Sequence, residues 1–181
     1  MTSKPNESET TASPHNEEDE ALFSGYFNGH PPEDLPLADY AKLAAIFNAT
    51  LIGLFLAAEK SNLPERMEPY DVLLLGLATH KMSRLISKDR FNAPFRAPFA
   101  RYVRETGAGE VDEEARGTGM RRALGLLLTR PWCTGPWVAP LLALCLVRAP
   151  RRTRLVSGVF AALTISDFLH HFYELAKKAK Q

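Results

Sequence analysis

The sequence predicts an all-α fold: a small multi-helix integral membrane protein with four transmembrane helices and a disordered acidic amino-terminal tail. Three observations lead to this fold class. Polar and apolar residues are segregated along the 181-residue chain, although its mean hydropathy of −0.18 and net charge of +1 are unremarkable. Two tryptophans and three prolines stand at the entrance of an apolar stretch, as in helices that enter a bilayer. Sequence patterns typical of β-strands are nearly absent.

Residues 1–36 are predicted to form the disordered tail. They carry eight acidic side chains, a single basic one at Lys4, and few large apolar residues. Such a segment cannot bury enough apolar surface to offset the entropy that ordering costs. We therefore expect the helical membrane domain to occupy residues 37–176, followed by a basic carboxy-terminal end at residues 177–181.

Four apolar segments are predicted to span the bilayer, at residues 37–58, 70–87, 132–147 and 155–172. The first is interrupted mainly by Asn48, and it reaches the roughly 20 residues of a span if Lys42 extends its side chain toward water. The second is continuously apolar only from Val72 to Thr79 and then becomes amphipathic. An amphipathic helix packed on its neighbours is the alternative for this second segment.

The third and fourth segments carry the polar features closest to the predicted membrane surface. Trp132, Cys133 and Trp137 open the third segment and are predicted to form a membrane-interface motif, because an indole ring favours the boundary between water and lipid. The fourth segment contains Asp167 and ends near two adjacent histidines. Ionisable groups inside a membrane segment are candidates for function.

The long connection between the second and third segments changes character along its length. Its first part, Lys88 to Arg104, mixes basic and aromatic residues, and we expect it to lie on the membrane with Phe inserted and Arg reaching phosphates. Nucleic-acid binding is the alternative for such a mixture, and the neighbouring apolar spans disfavour it. Residues 105–119 are acidic and rich in glycine, which predicts a flexible hydrophilic loop.

The distribution of basic residues predicts the orientation. Eleven Lys and Arg residues lie between Lys81 and Arg130, and the carboxy-terminal end adds three more. Positive residues tend to stay on the cytoplasmic side, so both termini are predicted to lie inside. Four arginines between Arg148 and Arg154 oppose this orientation.

Arg84, Asp89 and Arg96 form the first candidate site. An aspartate between two arginines is expected to fix the geometry where the second helix leaves the bilayer, because a guanidinium can donate two hydrogen bonds to one carboxylate. The same residues could bind an anionic lipid head group, as basic pockets at the inner face of membranes do. The structural and lipid-binding interpretations both stay open.

His80, Asp167 and His171 form the second candidate site, a polar path through the membrane domain. Asp167 and His171 are four residues apart and share a helix face. His80 can join them only if the second and fourth helices meet. This arrangement would suit proton transfer, whereas no bound metal and no cofactor are predicted.

Three searches for catalytic motifs found none in the sequence: no Gly-rich phosphate loop after a strand, no Gly-x-Ser-x-Gly elbow and no His-Glu-x-x-His motif. No histidine lies near Cys133 in sequence to generate its thiolate. Cys133 and Cys145 are expected to be two buried thiols that do not pair. The sequence therefore predicts a protein that is not an enzyme.

Two motifs carry a family resemblance. The run HKMSRLISKDRFNAPFRAPF, residues 80–99, followed by RPWCTGPWVA, residues 130–139, resembles the bacterial membrane family known as domain of unknown function 1360. The resemblance covers roughly residues 68–172 and implies a small helical protein of the bacterial cytoplasmic membrane. This chain departs from the family pattern at Arg130, where a cysteine is expected, so a Cys-x-x-Cys pair with Cys133 is excluded.

The predicted function is a non-catalytic membrane protein that acts through lipid or protein contacts. The partners we expect are the bilayer itself, anionic lipid head groups, and another protein or a second copy of the chain, whereas no nucleic acid is expected. A small transporter or channel subunit with a polar intramembrane path is the alternative. An enzyme and a soluble helical domain rank below these two.

Overall fold

A computed structural model of the chain describes residues 37–59, 66–107 and 109–179. The predicted tail, residues 1–36, lies outside the described residues, as do the last two residues of the basic end. The described part contains six α-helices, a short 3-10 turn at Arg90–Asn92 and one hairpin. The elements are α1 Leu37–Glu59, α2 Pro69–Ser87, α3 Ala93–Arg96, β1 Ala100–Gly107, β2 Glu110–Ala115, α4 Gly119–Thr129, α5 Pro131–Arg148 and α6 Pro150–Lys178.

The four long helices, α1, α2, α5 and α6, coincide with the four predicted apolar segments. Two of them, α1 and α6, are long and apolar enough to cross a membrane. Their most apolar stretches are only 6% and 17% buried inside the protein. The mostly helical character predicted from the sequence is confirmed.

Proline residues mark where three of these helices begin. Pro69, Pro131 and Pro150 each stand in the first turn of a helix, where the missing backbone N–H has no intrahelical partner to lose. The amide of Ala149 donates to the carbonyl of Cys145 at 2.8 Å, and Pro150 follows at once. Helices α5 and α6 are therefore joined by a corner of one residue.

Helix α2 lies at the centre and packs on both α5 and α6. Leu75 and Ala78 of α2 form the apolar core with three residues of α5 at four-residue spacing, Val138, Leu142 and Leu146. This spacing places one stripe of each helix against the other, which is how two helices bury a shared face.

Side-chain contacts fix the direction of each helix. Asp71 of α2 bonds Arg154 near the start of α6, and Lys81 bonds Asp167 thirteen residues further along α6, so α2 and α6 run parallel. Phe47 of α1 lies edge-on to Trp137 of α5, with ring centroids 5.0 Å apart. Near the other end of both helices, the carbonyl of Ala57 in α1 accepts a 3.4 Å hydrogen bond from Arg148, so α1 and α5 also run parallel.

The hairpin corrects the all-α prediction. Strands β1 and β2 pair antiparallel from Ala100 opposite Ala115 to Gly107 opposite Glu110, so residues predicted to form a loop are largely strand. Basic residues of β1 face acidic residues of β2, and Arg101 pairs with Glu114 across the strands at 3.0 Å. Nearly all of β1 is exposed, and an exposed strand needs no apolar residues on a buried face. Its sequence therefore lacks the alternation of apolar and polar residues by which strands are recognised.

Helix α4 holds the hairpin against the rest of the protein. Gly125 faces the base of the hairpin so closely that a Cβ atom at this position would lie 2.8 Å from Ala115 Cβ and would collide with the carbonyl oxygen of Phe99. Ala123, on the same helix, is fully buried. The absence of a side chain at position 125 is therefore required for the hairpin to dock on α4.

We expect Gly125→Ala to destabilise the protein by about 1–3 kcal/mol, because the added methyl group overpacks the contact with the hairpin. Gly76→Ala on α2 is the matched control, since no heavy atom lies within 4 Å of its added Cβ. There the helix propensity of alanine should leave stability unchanged or raise it by up to about 1 kcal/mol. Thermal unfolding of the two variants in detergent measures the difference, and equal melting temperatures would contradict the packing described here.

Candidate functional site

The carboxy-terminal end of α2 is closed by side chains from the residues that follow it. The last carbonyl groups of a helix have no intrahelical partner. Here the side-chain amide of Asn92 donates to the carbonyl of Leu85 at 2.8 Å, and Nη1 of Arg96 donates to the carbonyl of Ile86 at 2.7 Å. The turn after α2 thus folds back onto the helix that it leaves.

Arg96 is the centre of this arrangement, which we call the arginine clasp: Arg96, Glu113 and the carbonyl groups of Ile86 and Asp89. The Nε of Arg96 donates to Glu113 on β2, and Nη2 donates to the carbonyl of Asp89 at 2.9 Å. The two side chains of this ion pair are only 2% and 5% exposed. One buried guanidinium therefore joins helix, turn and hairpin.

The predicted ion pairing around Asp89 is wrong. Its carboxylate accepts a 2.7 Å hydrogen bond from the amide of Phe91 and so caps the 3-10 turn, and no salt bridge to it occurs within the described residues. Arg84 instead holds Glu110 with two nitrogens, Nε at 3.0 Å and Nη2 at 2.7 Å from separate oxygens. The carboxylate partners of Arg84 and Arg96 come from β2, which sequence reasoning missed.

The acidic run EVDEEA, residues 110–115, was the available signal for these partners, because its carboxylates follow shortly after the basic residues between Lys81 and Arg104 in the sequence. A third pair joins the same elements: Lys88 donates to Asp112 at 3.0 Å. This hydrogen bond, with the charges of Lys88 and Arg104, holds the pKa of Asp112 below its usual range. The lowered pKa means that the stabilisation is complete at neutral pH and is lost as the pH falls through the lowered value.

Helices α2 and α6 and the tip of the hairpin enclose a cleft of about 570 Å³, a volume typical of small-molecule sites. Most of the residues that line it are ionisable or polar. They are His80, Lys81, Arg84, Asp89, Thr106, Glu110, Asp167, His170 and His171, and Leu85, Gly107 and Phe168 complete the lining.

The cleft brings together residues that the sequence analysis had placed in two separate sites. The second and fourth apolar helices do meet, so His80 joins Asp167 and His171, and Arg84 and Asp89 line the same space. Within the cleft, Lys81 Nζ lies 2.6 Å from Asp167 Oδ2. The ring of His80 stacks on Phe168, with centroids 6.2 Å apart. Arg96, buried in the clasp, does not line the cleft.

No cluster of three or more metal-ligating side chains with suitable geometry occurs in the described part of the chain. Lysine, arginine and histidine side chains reach the cleft from α2, while Asp167 and two histidines reach it from α6.

The predicted membrane-interface motif is divided between two environments. Trp132 is 93% exposed, Cys133 is half-buried, and Trp137 packs edge-on against Phe47 of α1. The expectation of two buried thiols is wrong for Cys145, which is exposed on α5. Next to the motif, the hydroxyls of Thr134 and Ser87 lie 2.8 Å apart in a buried contact between α5 and α2.

Comparisons with known proteins agree with the resemblance seen in the sequence. The model of the family described as "Protein of unknown function (DUF1360)" matches residues 74–173, more than half of the chain. The sporulation protein YjcA of Bacillus subtilis (strain 168) is 37% identical to the chain over 83 residues, which are 44% of this chain and 70% of YjcA. No solved structure matches the chain. The matched range contains both the clasp and the cleft.

Glu113→Gln is expected to destabilise the protein by about 3–5 kcal/mol, because it leaves the buried guanidinium of Arg96 without its counter-charge. Glu114→Gln is the matched control on the same strand, where both partners of the ion pair are more than 60% exposed. Its expected cost is at most about 1 kcal/mol. Thermal unfolding in detergent and proteolysis within the hairpin both report the effect. Similar stabilities for the two variants would show that the clasp is dispensable.

Proposed function

This chain belongs to the DUF1360 family, and from that membership and its geometry we propose that it is an integral protein of a bacterial cytoplasmic membrane. In this proposal α1, α2, α5 and α6 are four transmembrane helices. The protein acts without catalysis, through contacts with lipids or with other proteins.

The observation that carries the proposal is an apolar exterior around a partly polar interior. Large apolar side chains point away from the protein on the outer helices, including Phe55 at 65%, Leu155 at 72% and Leu169 at 64% exposure. Ser157 and Thr164, in contrast, are fully buried. Soluble monomers rarely expose apolar surface on this scale, whereas small and hydroxylated residues between helices are typical of membrane bundles.

The lengths and directions of the four long helices support four crossings of the bilayer. Helices α2 and α5 contain 19 and 18 residues, which corresponds to about 28 Å at 1.5 Å per residue and approaches the thickness of the hydrocarbon core. When a chain crosses a bilayer four times in succession, the first and third crossings are parallel, and so are the second and fourth. The parallel pairs α1 with α5 and α2 with α6 match this requirement. In this arrangement the hairpin and both termini share one side.

The charge pattern favours placing the hairpin side in the cytoplasm, because most basic residues lie there. The corner between α5 and α6 carries the four arginines that count against this orientation. One of them, Arg154, donates to both oxygens of Asp71 at 2.8 and 2.7 Å, so its charge is balanced within the protein. Arg148 donates a hydrogen bond to the carbonyl of Ala57. The ion pair of Arg154 with Asp71 reduces the net positive charge that the corner presents outside.

Aromatic side chains on the hairpin side are suited to contact with lipid. Phe91, Phe95 and Trp132 are 83%, 74% and 93% exposed, and basic side chains accompany them in sequence. Aromatic rings at the level of the head groups and arginines reaching phosphates together anchor a protein at the membrane surface.

A transporter or channel subunit is a second candidate, favoured by the ion pair of Lys81 and Asp167 in the cleft. Asp167 lies within a helix that is long and apolar enough to cross a membrane, and intramembrane carboxylates commonly relay protons. His80 and His171, in the same cleft, are suited to exchange a proton with it.

The four-crossing topology predicts a labelling pattern for single cysteines introduced after both native cysteines are replaced by serine. In intact cells, a membrane-impermeant maleimide should label Met67→Cys and Arg151→Cys. It should label Glu114→Cys and Lys178→Cys only after permeabilisation. Labelling of Glu114→Cys from outside would show that α2 does not cross. Release of the protein from membranes by a carbonate wash would refute the integral membrane assignment.

The transport candidate predicts that Asp167→Asn abolishes proton flux into vesicles containing the purified protein, because the amide cannot carry the transferred proton. Glu174→Gln is the control, a carboxylate on the same helix that does not line the cleft. A pH-sensitive dye inside the vesicles reports flux. If the unaltered protein gives no flux, or Asp167→Asn retains it, the transport candidate is rejected.

A further inference from the structure

One polar side chain stands at the middle of α1 and points away from the rest of the protein. Asn48 is the central residue of α1, with eleven residues of the helix on either side. Its side chain is exposed, whereas Leu43 is buried and Phe47 packs on Trp137 of α5. In the proposed four-crossing arrangement, this amide therefore faces the hydrocarbon chains of the lipid near the centre of the bilayer.

The hydrogen-bonding capacity of Asn48 is only partly used. Its Nδ2 donates to the carbonyl of Ala44 at 2.8 Å, within the same helix. A side-chain amide carries two N–H groups and one carbonyl oxygen. Within the described part of the chain, the second N–H and the Oδ1 of Asn48 have no partner. Lipid chains offer no hydrogen bond, so an amide left in this state in the bilayer is unfavourable.

The face of α1 that carries Asn48 is not covered by another helix of the described chain. Helix α1 packs on α5 and α4 through its other side. One and two turns after Asn48, the side chains of Ile52 and Phe55 are 60% and 65% exposed. One turn before it, Ala44 and Ala45 are exposed as well, and such small side chains allow a second helix to approach closely.

We propose that Asn48 joins two copies of this chain in the membrane, with their α1 helices side by side. Two copies with the same topology that are related by a two-fold axis along the membrane normal place equivalent residues at the same height. The remaining N–H of each Asn48 then donates to Oδ1 of the other. An amide is both donor and acceptor, so a second copy supplies the matching group, whereas a different protein needs its own polar residue at this height.

This inference rests on the proposed function, because only a lipid environment leaves the amide without water as a partner. It names a second copy of the chain as the protein with which the membrane domain makes contact. Helix α1 lies outside residues 74–173, the range that the family model matches. It also contributes no residue to the arginine clasp or to the lining of the cleft. The proposed contact is therefore separate from both.

Energy transfer between donor-labelled and acceptor-labelled full-length protein in phosphatidylcholine vesicles measures association as the ratio of protein to lipid is varied. We expect the unaltered protein to associate and Asn48→Leu to associate about tenfold more weakly, because two interhelical hydrogen bonds are lost. The side chain of Asn48 is exposed and bonds only its own helix, so this variant should fold normally.

Two further variants control for the change at this position. Asn48→Gln retains an amide and should associate nearly as well as the unaltered protein. Thr50→Val is the matched control, because it removes a polar group from α1 on the side that borders the groove between α1 and α5. Its association should be unchanged.

Disulfide cross-linking in native membranes locates the contact, after both native cysteines are replaced by serine. Ile52→Cys lies one turn from Asn48 on the same face and should give a product of twice the mass of the chain. Thr50→Cys lies two residues earlier, on the opposite side of the helix, and should give none.

A protein that stays monomeric in vesicles at every ratio overturns the inference, as does equal association by Asn48→Leu. A cross-linked product whose mass differs from that of two chains assigns this face to another partner and also overturns it. A monomer that resists a carbonate wash keeps the proposed membrane function and rejects this inference alone, whereas release by carbonate rejects both.

Discussion

The buried ion pair between Arg96 and Glu113 is the interaction on which the polar half of this protein depends. A guanidinium removed from water needs hydrogen-bond acceptors and a nearby opposite charge. Each of the three nitrogen atoms of Arg96 donates to one acceptor: a carboxylate from β2, a carbonyl group from α2 and a carbonyl group from the following turn. Because the partners come from distant parts of the chain, satisfying this one group brings the hairpin to the end of α2.

The position of the hairpin in turn determines the third wall of the cleft. Once Glu113 is held, the neighbouring part of β2 lies beside the last turns of α2, and Glu110 reaches Arg84. Val111 donates its amide to the carbonyl of Lys88 at 2.9 Å, which extends the pairing into the turn. These contacts therefore place Thr106, Gly107 and Glu110 on the third side of the cleft, opposite α2 and α6.

The helical half depends on α2 in a different way. Its two ends are tied to α6 by ion pairs of Asp71 and Lys81, and its apolar stripe is buried against α5. Between these two ion pairs, the hydroxyl of Thr164 in α6 donates to the carbonyl of Leu77 in α2 at 2.9 Å, a distance that requires the two helices to lie close together. The polar contacts thus set the register of the bundle, and the large apolar side chains are left on its outside.

The sequence by itself determined the four long helices, because each contains an apolar run that is bounded by proline or polar residues, and this pattern is local in the sequence. It also determined which residues are chemically prominent, since Arg84, Asp89, Arg96, His80 and Asp167 stand out by type and spacing. Only the tertiary structure decided their partners. The charged hairpin has no apolar periodicity to reveal it, so Glu110 and Glu113 became partners of Arg84 and Arg96 only after the chain folded back. The cleft likewise exists because two helices more than sixty residues apart in sequence pack side by side, and local patterns contain no information on that distance.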